Sequence, residues 1–268
     1  MEIYKIKVLD KLFRILDLFS EENVELSAGE ISKKLDTNRT STYRIISNLE
    51  AEGYLERDPK TAKYRLGLKW FILGNLSNPY LHLKRVARPF LEDLNERSGE
   101  TVHLAALSSG KTFYLDKIEG RKTIRVVISR VGQKLPAHCT GVGKVLLAFL
   151  PETESRKIIA ERGMPVFTEN TITSWNELRK ELHSVRQNFC AFDREEIEYG
   201  LSCVAAPIFS CQVDQSAIAA ISVSMPVNRM EQEMAAVKKM VQEAAGGISE
   251  ILEEKIGRQG AILLANMA

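Results

Sequence analysis

The stretch from Ser27 to Leu66 constrains the fold more than any other part of the chain. Ser27 is followed three residues later by Glu30, the signature of a capping box that starts a helix. That helix, Ala28 to Leu35, carries Ile31 and Leu35 on one face, and Asp36-Thr37 make a short turn. Asn38 can cap a second helix, which runs to about Glu52 and stops at Gly53. Tyr54-Leu55-Glu56-Arg57, a turn from Asp58 to Ala62, and Lys63-Tyr64-Arg65-Leu66 then read as a hairpin. An earlier helical run places Val8, Leu9, Leu12, Ile15, Leu16 and Phe19 at helical spacing. Three helices and a hairpin predict a winged helix-turn-helix domain over residues 1–67.

The second helix of that pair has an unusual front. Residues 38–46 read NRTSTYRII, crowding three hydroxyls and two arginines before the chain turns apolar. At about 100° per residue, Thr42, Ile45, Ile46 and Leu49 share one side. Thr40, Arg44, Ser47 and Ala51 fall opposite, with Tyr43 at one edge and Ser41 and Asn48 at the other. The outward stripe is small, hydrogen-bonding and basic, as a helix entering the major groove needs to be. Hydroxyls and the N–H groups of the helix N-terminus suit phosphates. Arg39, Thr40, Ser41, Tyr43, Arg44 and Ser47 are the candidate DNA contacts on the helix, and Lys63 and Arg65 those on the hairpin. Arg57, Lys60, Lys63 and Arg65 against Asp58 give the hairpin a local net of +3, suited to backbone contacts.

Beyond the hairpin, Leu68–Leu76 and Tyr80–Arg97 are apolar helical runs separated by Ser77-Asn78-Pro79, and Pro89 should kink the second. Residues 68–98 therefore read as a helical linker. From Thr101 the texture becomes strands: Val102–Leu107, Thr112–Ile118 and Ile124–Ile128. Helices follow over about 140–150, 152–161 and, from a Ser174/Glu177 capping box, to about Asn188. Strands return at Cys203–Phe209 and Ala217–Ser224, before a long helix from about Met230 to Ile256. This order predicts an α+β domain around an antiparallel sheet over residues 99–257, with a poorly patterned tail at 258–268.

Composition bounds the class. A net charge of +2 does not by itself argue for nucleic acid, so any basic surface must be local. No apolar run is long enough for a membrane span, and the N-terminus lacks a signal-peptide pattern, so a cytoplasmic location is expected. Cys139, Cys190, Cys203 and Cys211 show no C-x-x-C spacing and are expected as free thiols in a reducing compartment. No nucleophile elbow, phosphate loop or dinucleotide fingerprint is present, which argues against an enzyme.

Residues 31–67, ISKKLDTNRTSTYRIISNLEAEGYLERDPKTAKYRLG, resemble the DNA-binding domain of the IclR family of bacterial transcription regulators. LPAHCTGVGKVLLAFLP (135–151), FDREEIEYGLSCVAAPIFS (192–210) and AAISVSMPVNR (219–229) are similar to that family's effector-binding domain. The resemblance covers about residues 8–256. It implies a winged helix-turn-helix, a linker helix and a sensory domain related to GAF and profilin-like folds. It implies homodimers, often paired into homotetramers, on palindromic operators, and a small, often anionic metabolite in the C-terminal domain. No cofactor is implied.

Carried over by position, the resemblance assigns the effector turn to Gly141-Val142, at the start of a helix whose free N–H groups suit a carboxylate. It assigns an apolar wall to Ile124, Val127 and Leu135, and polar groups to Asp193, Cys203, Ser222 and Ser224. The two serines alternate along one strand and so face the same side. Two other readings compete: a metal-responsive regulator using His138, Cys139, Asp193 and Cys203, all ligand types, and a winged-helix module that docks protein.

Overall fold

The structure is a computed structural model that describes residues 6–20, 22–76, 79–108, 110–122, 129–132, 134–210 and 216–255. The chain divides between residues 78 and 79 into two compact units.

The first unit holds α1 (Lys7–Leu16), α2 (Ala28–Lys34), α3 (Arg39–Ala51), β1 (Leu55–Arg57), β2 (Tyr64–Leu66) and α4 (Leu68–Leu76). The capping box at α2 is complete. Ser27 Oγ accepts the Glu30 N–H at 3.2 Å, and Glu30 Oε2 accepts the Ser27 N–H at 2.7 Å. Asn38 Oδ1 caps α3 by accepting the N–H groups of Thr40 and Ser41 at 2.9 and 3.3 Å. The expected inward face of α3, Thr42, Ile45, Ile46 and Leu49, is buried. It packs with Ile15, Leu26, Ile31, Leu35, Leu55 and Tyr64 in one apolar cluster. Each buried Leu or Ile of the cluster contributes about 1.5–3 kcal/mol. Thr42 is tolerated there because its hydroxyl is bonded to Thr37 Oγ1 at 2.9 Å and to the Asn38 carbonyl at 3.1 Å. Gly53, at φ +75, ends α3 in the left-handed region, as its position in the sequence required.

The second unit is built on a six-stranded sheet of order β5-β4-β3-β8-β7-β6. Its strands are β3 (Thr101–Ser108), β4 (Lys111–Ile118), β5 (Lys134–Pro136), β6 (Ala191–Arg194), β7 (Leu201–Phe209) and β8 (Ala217–Pro226), all paired antiparallel. The remaining elements are α5 (Pro79–Ser98), α6 (Gly141–Ala148), α7 (Glu152–Arg162), α8 (Trp175–Asn188) and α9 (Val227–Lys255). Side-chain alternation sorts the sheet into two faces. Val204, Ala206 and Ile208 pack with α5 and α9, while Ala205 and Ala220 pack with α6 and α8.

Residues 68–98, expected as one helical linker, divide between the two units. α4 belongs to the first unit, and α5 places Leu83, Val86, Ala87, Leu91 and Leu94 in the core of the second. Pro89 lies inside α5, which continues through it to Ser98. The short strands β5 and β6 carry too few residues for a periodic signal and had no counterpart in the sequence reading. The strand expected at 124–128, with Ile124 and Val127, lies outside the described residues, as does the tail at 258–268.

Candidate DNA-binding face and effector cavity

On α3, Arg39, Thr40, Ser41, Tyr43 and Arg44 are exposed, and Ser47 is half-buried. Arg39 and Arg44 make no ion pair among the described residues, so both guanidinium groups are available. Three details correct the sequence reading. The Thr40 and Ser41 amides are already bonded to Asn38, so this helix terminus has fewer N–H groups for a phosphate. Ser41 Oγ accepts from Lys11 Nζ at 3.0 Å and is turned toward α1. The antiparallel register sets Glu56 opposite Arg65, and the two form an ion pair at 3.2 Å. Counting Glu56, which the hairpin tally omitted, the net charge over residues 54–66 is +4 − 2 = +2. Lys63 is half-buried, so Arg57 and Lys60 at the hairpin end are the more exposed cations.

In the second unit the sheet register builds a polar line. Asp193 on β6 pairs with Cys203 on β7, and Cys203 pairs with Ser224 on β8. Ser222, two residues before Ser224, lies between Ala205 and His103 of β3. These side chains face α6 and line one narrow cavity together with Leu135, Gly141 and Val142. Seven of the nine sequence-assigned residues therefore meet at one place, and the other two, Ile124 and Val127, lie outside the described residues. The free volume is about 20 Å³, room for little more than one water.

His103, Tyr114, Ser129, Thr140, Ile197 and Leu201 complete the lining and were missed by the sequence reading. Strand alternation puts His103 on the same side of β3 as Ala105, opposite Val102 and Leu104, but gives no sign of a role there. His103 Nε2 lies 2.7 Å from Ser129 Oγ, its Nδ1 lies 3.4 Å from Ser224 Oγ, and Ser224 Oγ lies 2.9 Å from Cys203 Sγ. Burial, and then the Lys117 ammonium, depress His103 to about 3, so the ring is neutral at pH 7. Burial also pushes the Cys203 thiol up, reinforced by Asp193. The thiol is a weak hydrogen-bonding group here, not a thiolate.

Asp193 is 1% exposed. Its Oδ1 accepts the Glu196 N–H at 2.8 Å, while Oδ2 has no partner among the described residues. Burial raises its carboxyl to about 7, the Glu196 amide opposing this and the Glu196 carboxylate adding to it. The raised value means the folded chain holds a proton that the unfolded chain has released above about pH 4. Stability is therefore lost as pH rises from about 4 to 7. Asp193→Asn removes this penalty, so its gain in melting temperature over the parent should be near zero at pH 4, grow to pH 7 and then level off. A constant difference across that range would contradict the assignment.

Thr140 Oγ1 caps α6 by accepting the Gly143 N–H at 3.2 Å. The amides of Gly141 and Val142 stand at the first turn, where an α-helix has no partner of its own for them. Gly143 was not singled out from the sequence. A Cβ there would lie 2.4 Å from the Ala137 carbonyl oxygen and 2.5 Å from Thr140 Oγ1. Gly143→Ala is expected to displace the α6 terminus at a cost of about 1–3 kcal/mol, read as a lower urea midpoint for the second unit.

The alternative metal grouping does not assemble. Among the described residues no three His, Cys, Asp or Glu side chains come together in a way that could hold a metal ion. His138 Nε2 is instead within 3.1 Å of the Pro165 carbonyl, and Cys139 Sγ donates to the Pro136 carbonyl at 3.8 Å.

Comparison with known proteins agrees with both units. Residues 8–59 match the IclR helix-turn-helix domain, and residues 78–250 match the bacterial transcriptional regulator IclR C-terminal domain. The chain is 33% identical to the HTH-type transcriptional regulator XynR of Escherichia coli strain K12, over 92% of this chain and 97% of that one. Among solved structures, the Thermotoga maritima IclR is 31% identical, with a TM-score of 0.72 over 92% of this chain and 99% of that one. An IclR homolog from Microbacterium hydrocarbonoxydans, solved with 4-hydroxybenzoate, is 25% identical, with a TM-score of 0.80 over 91% of this chain and 98% of that one. An outward polar helix on a winged domain, an enclosed polar cavity on a separate sheet domain and these matches together place the chain in the IclR family of DNA-binding bacterial transcriptional regulators, which are not enzymes.

Proposed function

We propose that the chain is a cytoplasmic regulator that binds a palindromic operator as a homodimer or homotetramer, and that a small carboxylate-bearing metabolite in the cavity changes its operator affinity. The observation that carries this reading is that the chain pairs an outward basic helix face with a buried polar cavity in a separate unit. In the proposed complex α3 enters the major groove, with Arg44 and Thr40 toward base edges and Arg39, Tyr43 and Ser47 beside them. The hairpin, through Lys63 and Arg65 as well as Arg57 and Lys60, rests on the phosphate backbone. A self-association surface is supported by α4, where Leu68, Phe71, Ile72 and Leu76 are 62%, 69%, 50% and 77% exposed.

Within the cavity, the Gly141 and Val142 amides suit a carboxylate, with Leu135 as apolar wall. Asp193, Cys203, Ser222 and Ser224 supply the polar contacts. The Microbacterium hydrocarbonoxydans homolog holds 4-hydroxybenzoate, a carboxylate with a hydroxyl, which is chemistry of this kind. A cavity of about 20 Å³ cannot admit such a molecule without widening. Binding and conformational change are therefore linked, and a ligand that favours the widened form shifts the populations that read DNA.

The test is a gel shift with genomic fragments across a salt series, followed by a thermal-shift screen of carboxylic acids and release of the bound fragment by those that stabilise. Affinity should fall steeply with salt, and a specific fragment should outcompete random DNA by about 10³ or more. Equal competition by random DNA would favour the protein-docking alternative.

A further inference from the structure

Lys144, the fourth residue of α6, is fully buried. Its ammonium lies 2.5 Å from Glu196 Oε1 and 3.1 Å from Glu181 Oε1. A buried ion pair is weak evidence for stability, because well-packed apolar groups in its place are often neutral or better. What the pair joins is more informative.

Glu196 sits in the turn after β6. Its N–H donates to Asp193 Oδ1 at 2.8 Å, and its Oε1 also accepts the Arg194 N–H at 3.4 Å. The same turn is clamped from outside, where Thr168 and Thr171 hydroxyls donate to the Glu195 and Glu196 carbonyls at 2.6 and 2.5 Å. The atom left over is Asp193 Oδ2, buried and unpartnered among the described residues, on a side chain that lines the cavity. Lys144 stands one turn along the helix from Gly141, whose amide begins the helix end at the cavity. One ion pair thus ties the two polar ends of the cavity together.

We propose that Lys144 and Glu196 are positioning residues: they touch no ligand, but hold the Asp193 carboxylate in the cavity at a fixed separation from the α6 terminus. The inference rests on the reading of this cavity as the effector site. It narrows the ligand class. The helix amides offer donors, and Asp193, once ionised at pH 8, offers only an acceptor, so the ligand preferred there brings a carboxylate and, apart from it, a donor. A hydroxy acid satisfies both ends, whereas its deoxy counterpart leaves Asp193 unpaired. The pair of positioning residues sustains that selectivity.

The test uses the full chain at pH 8 and matched acids, including 4-hydroxybenzoate against benzoate and lactate against propionate, with affinities from calorimetric titration. Parent, Asp193→Asn, Glu196→Gln and the double variant Lys144→Met/Glu196→Gln are compared. Leu178→Val, in the core that α8 shares with α6, serves as a control for a general loss of stability. The parent should prefer one hydroxy acid over its deoxy partner by about tenfold or more. Glu196→Gln and the double variant should bring that ratio within about twofold of unity by weakening the hydroxy acid alone, while Leu178→Val keeps it. If the folded pair variants retain the parent ratio while Asp193→Asn loses it, positioning is refuted and the cavity assignment stands. If Asp193→Asn leaves every affinity unchanged, or no acid binds the parent, the cavity assignment fails and takes the inference with it.

Discussion

A Lys144→Met chain is expected to lose about 3–5 kcal/mol of stability in its second unit. The substitution keeps most of the side-chain length, so the cost is electrostatic rather than steric. Glu196, 4% exposed, would be left with a buried carboxylate whose Oε2 already lacks a partner among the described residues. Glu181 suffers less, since its side chain is 23% exposed and Arg194 lies 3.7 Å away. The check is urea unfolding followed by fluorescence. Trp70 and Trp175, the only two tryptophans, fall in different units, so a Trp70→Phe background isolates the second unit. A lower midpoint at unchanged slope is the expected signature. Adding Glu196→Gln should restore part of the loss by removing the stranded charge. A single-variant loss below about 1 kcal/mol would mean that water or a local shift solvates Glu196.

Arg44→Ala is expected to weaken operator binding by about 1–3 kcal/mol, roughly five- to 150-fold. The loss should be largest at one base-pair position if Arg44 reads a guanine, and uniform across sequences, with a shallower salt dependence, if it contacts phosphate. The side chain is exposed and outside any described ion pair, so folding should not suffer. Acid binding in the second unit should be unchanged. Ser41→Ala is the informative neighbour. Its hydroxyl is engaged by Lys11, so truncation should cost much less than at Arg44. If Ser41→Ala matches Arg44→Ala, the groove approaches α3 from the α1 side instead.

The outward face of α3, the candidate DNA contact, was legible because helical periodicity separates inward from outward residues. Thr42, Ile45, Ile46 and Leu49 are all buried, and the residues opposite them are not. What periodicity cannot register is partnership. Glu56 and Arg65 are nine residues apart, and only the hairpin register brings them together. Ser41 looked like its neighbours until α1 placed Lys11 beside it. In the second unit, the assigned polar residues come from three successive strands, brought into line only by the sheet register. Family resemblance located them, whereas no local pattern distinguishes Ser222 or Ser224 from solvent-facing serines. Lys144 and Glu196, 52 residues apart, gave no local sign of their pairing. His103 was hidden for the opposite reason, because one histidine in an apolar strand resembles an ordinary core residue.

The line from Asp193 through Cys203 to Ser224 exists only because three strands keep step. Inserting one residue before Cys203 would swing that strand's cavity-facing groups into the hydrocarbon layer under α5 and α9, and bring Val204 or its neighbours out in their place. With the cavity as the proposed effector site, ligand preference would evolve by exchanging side chains at fixed positions, one at a time. Changes in strand length are closed to it, and relatives that sense different molecules should differ in lettering along the row, not in its spacing.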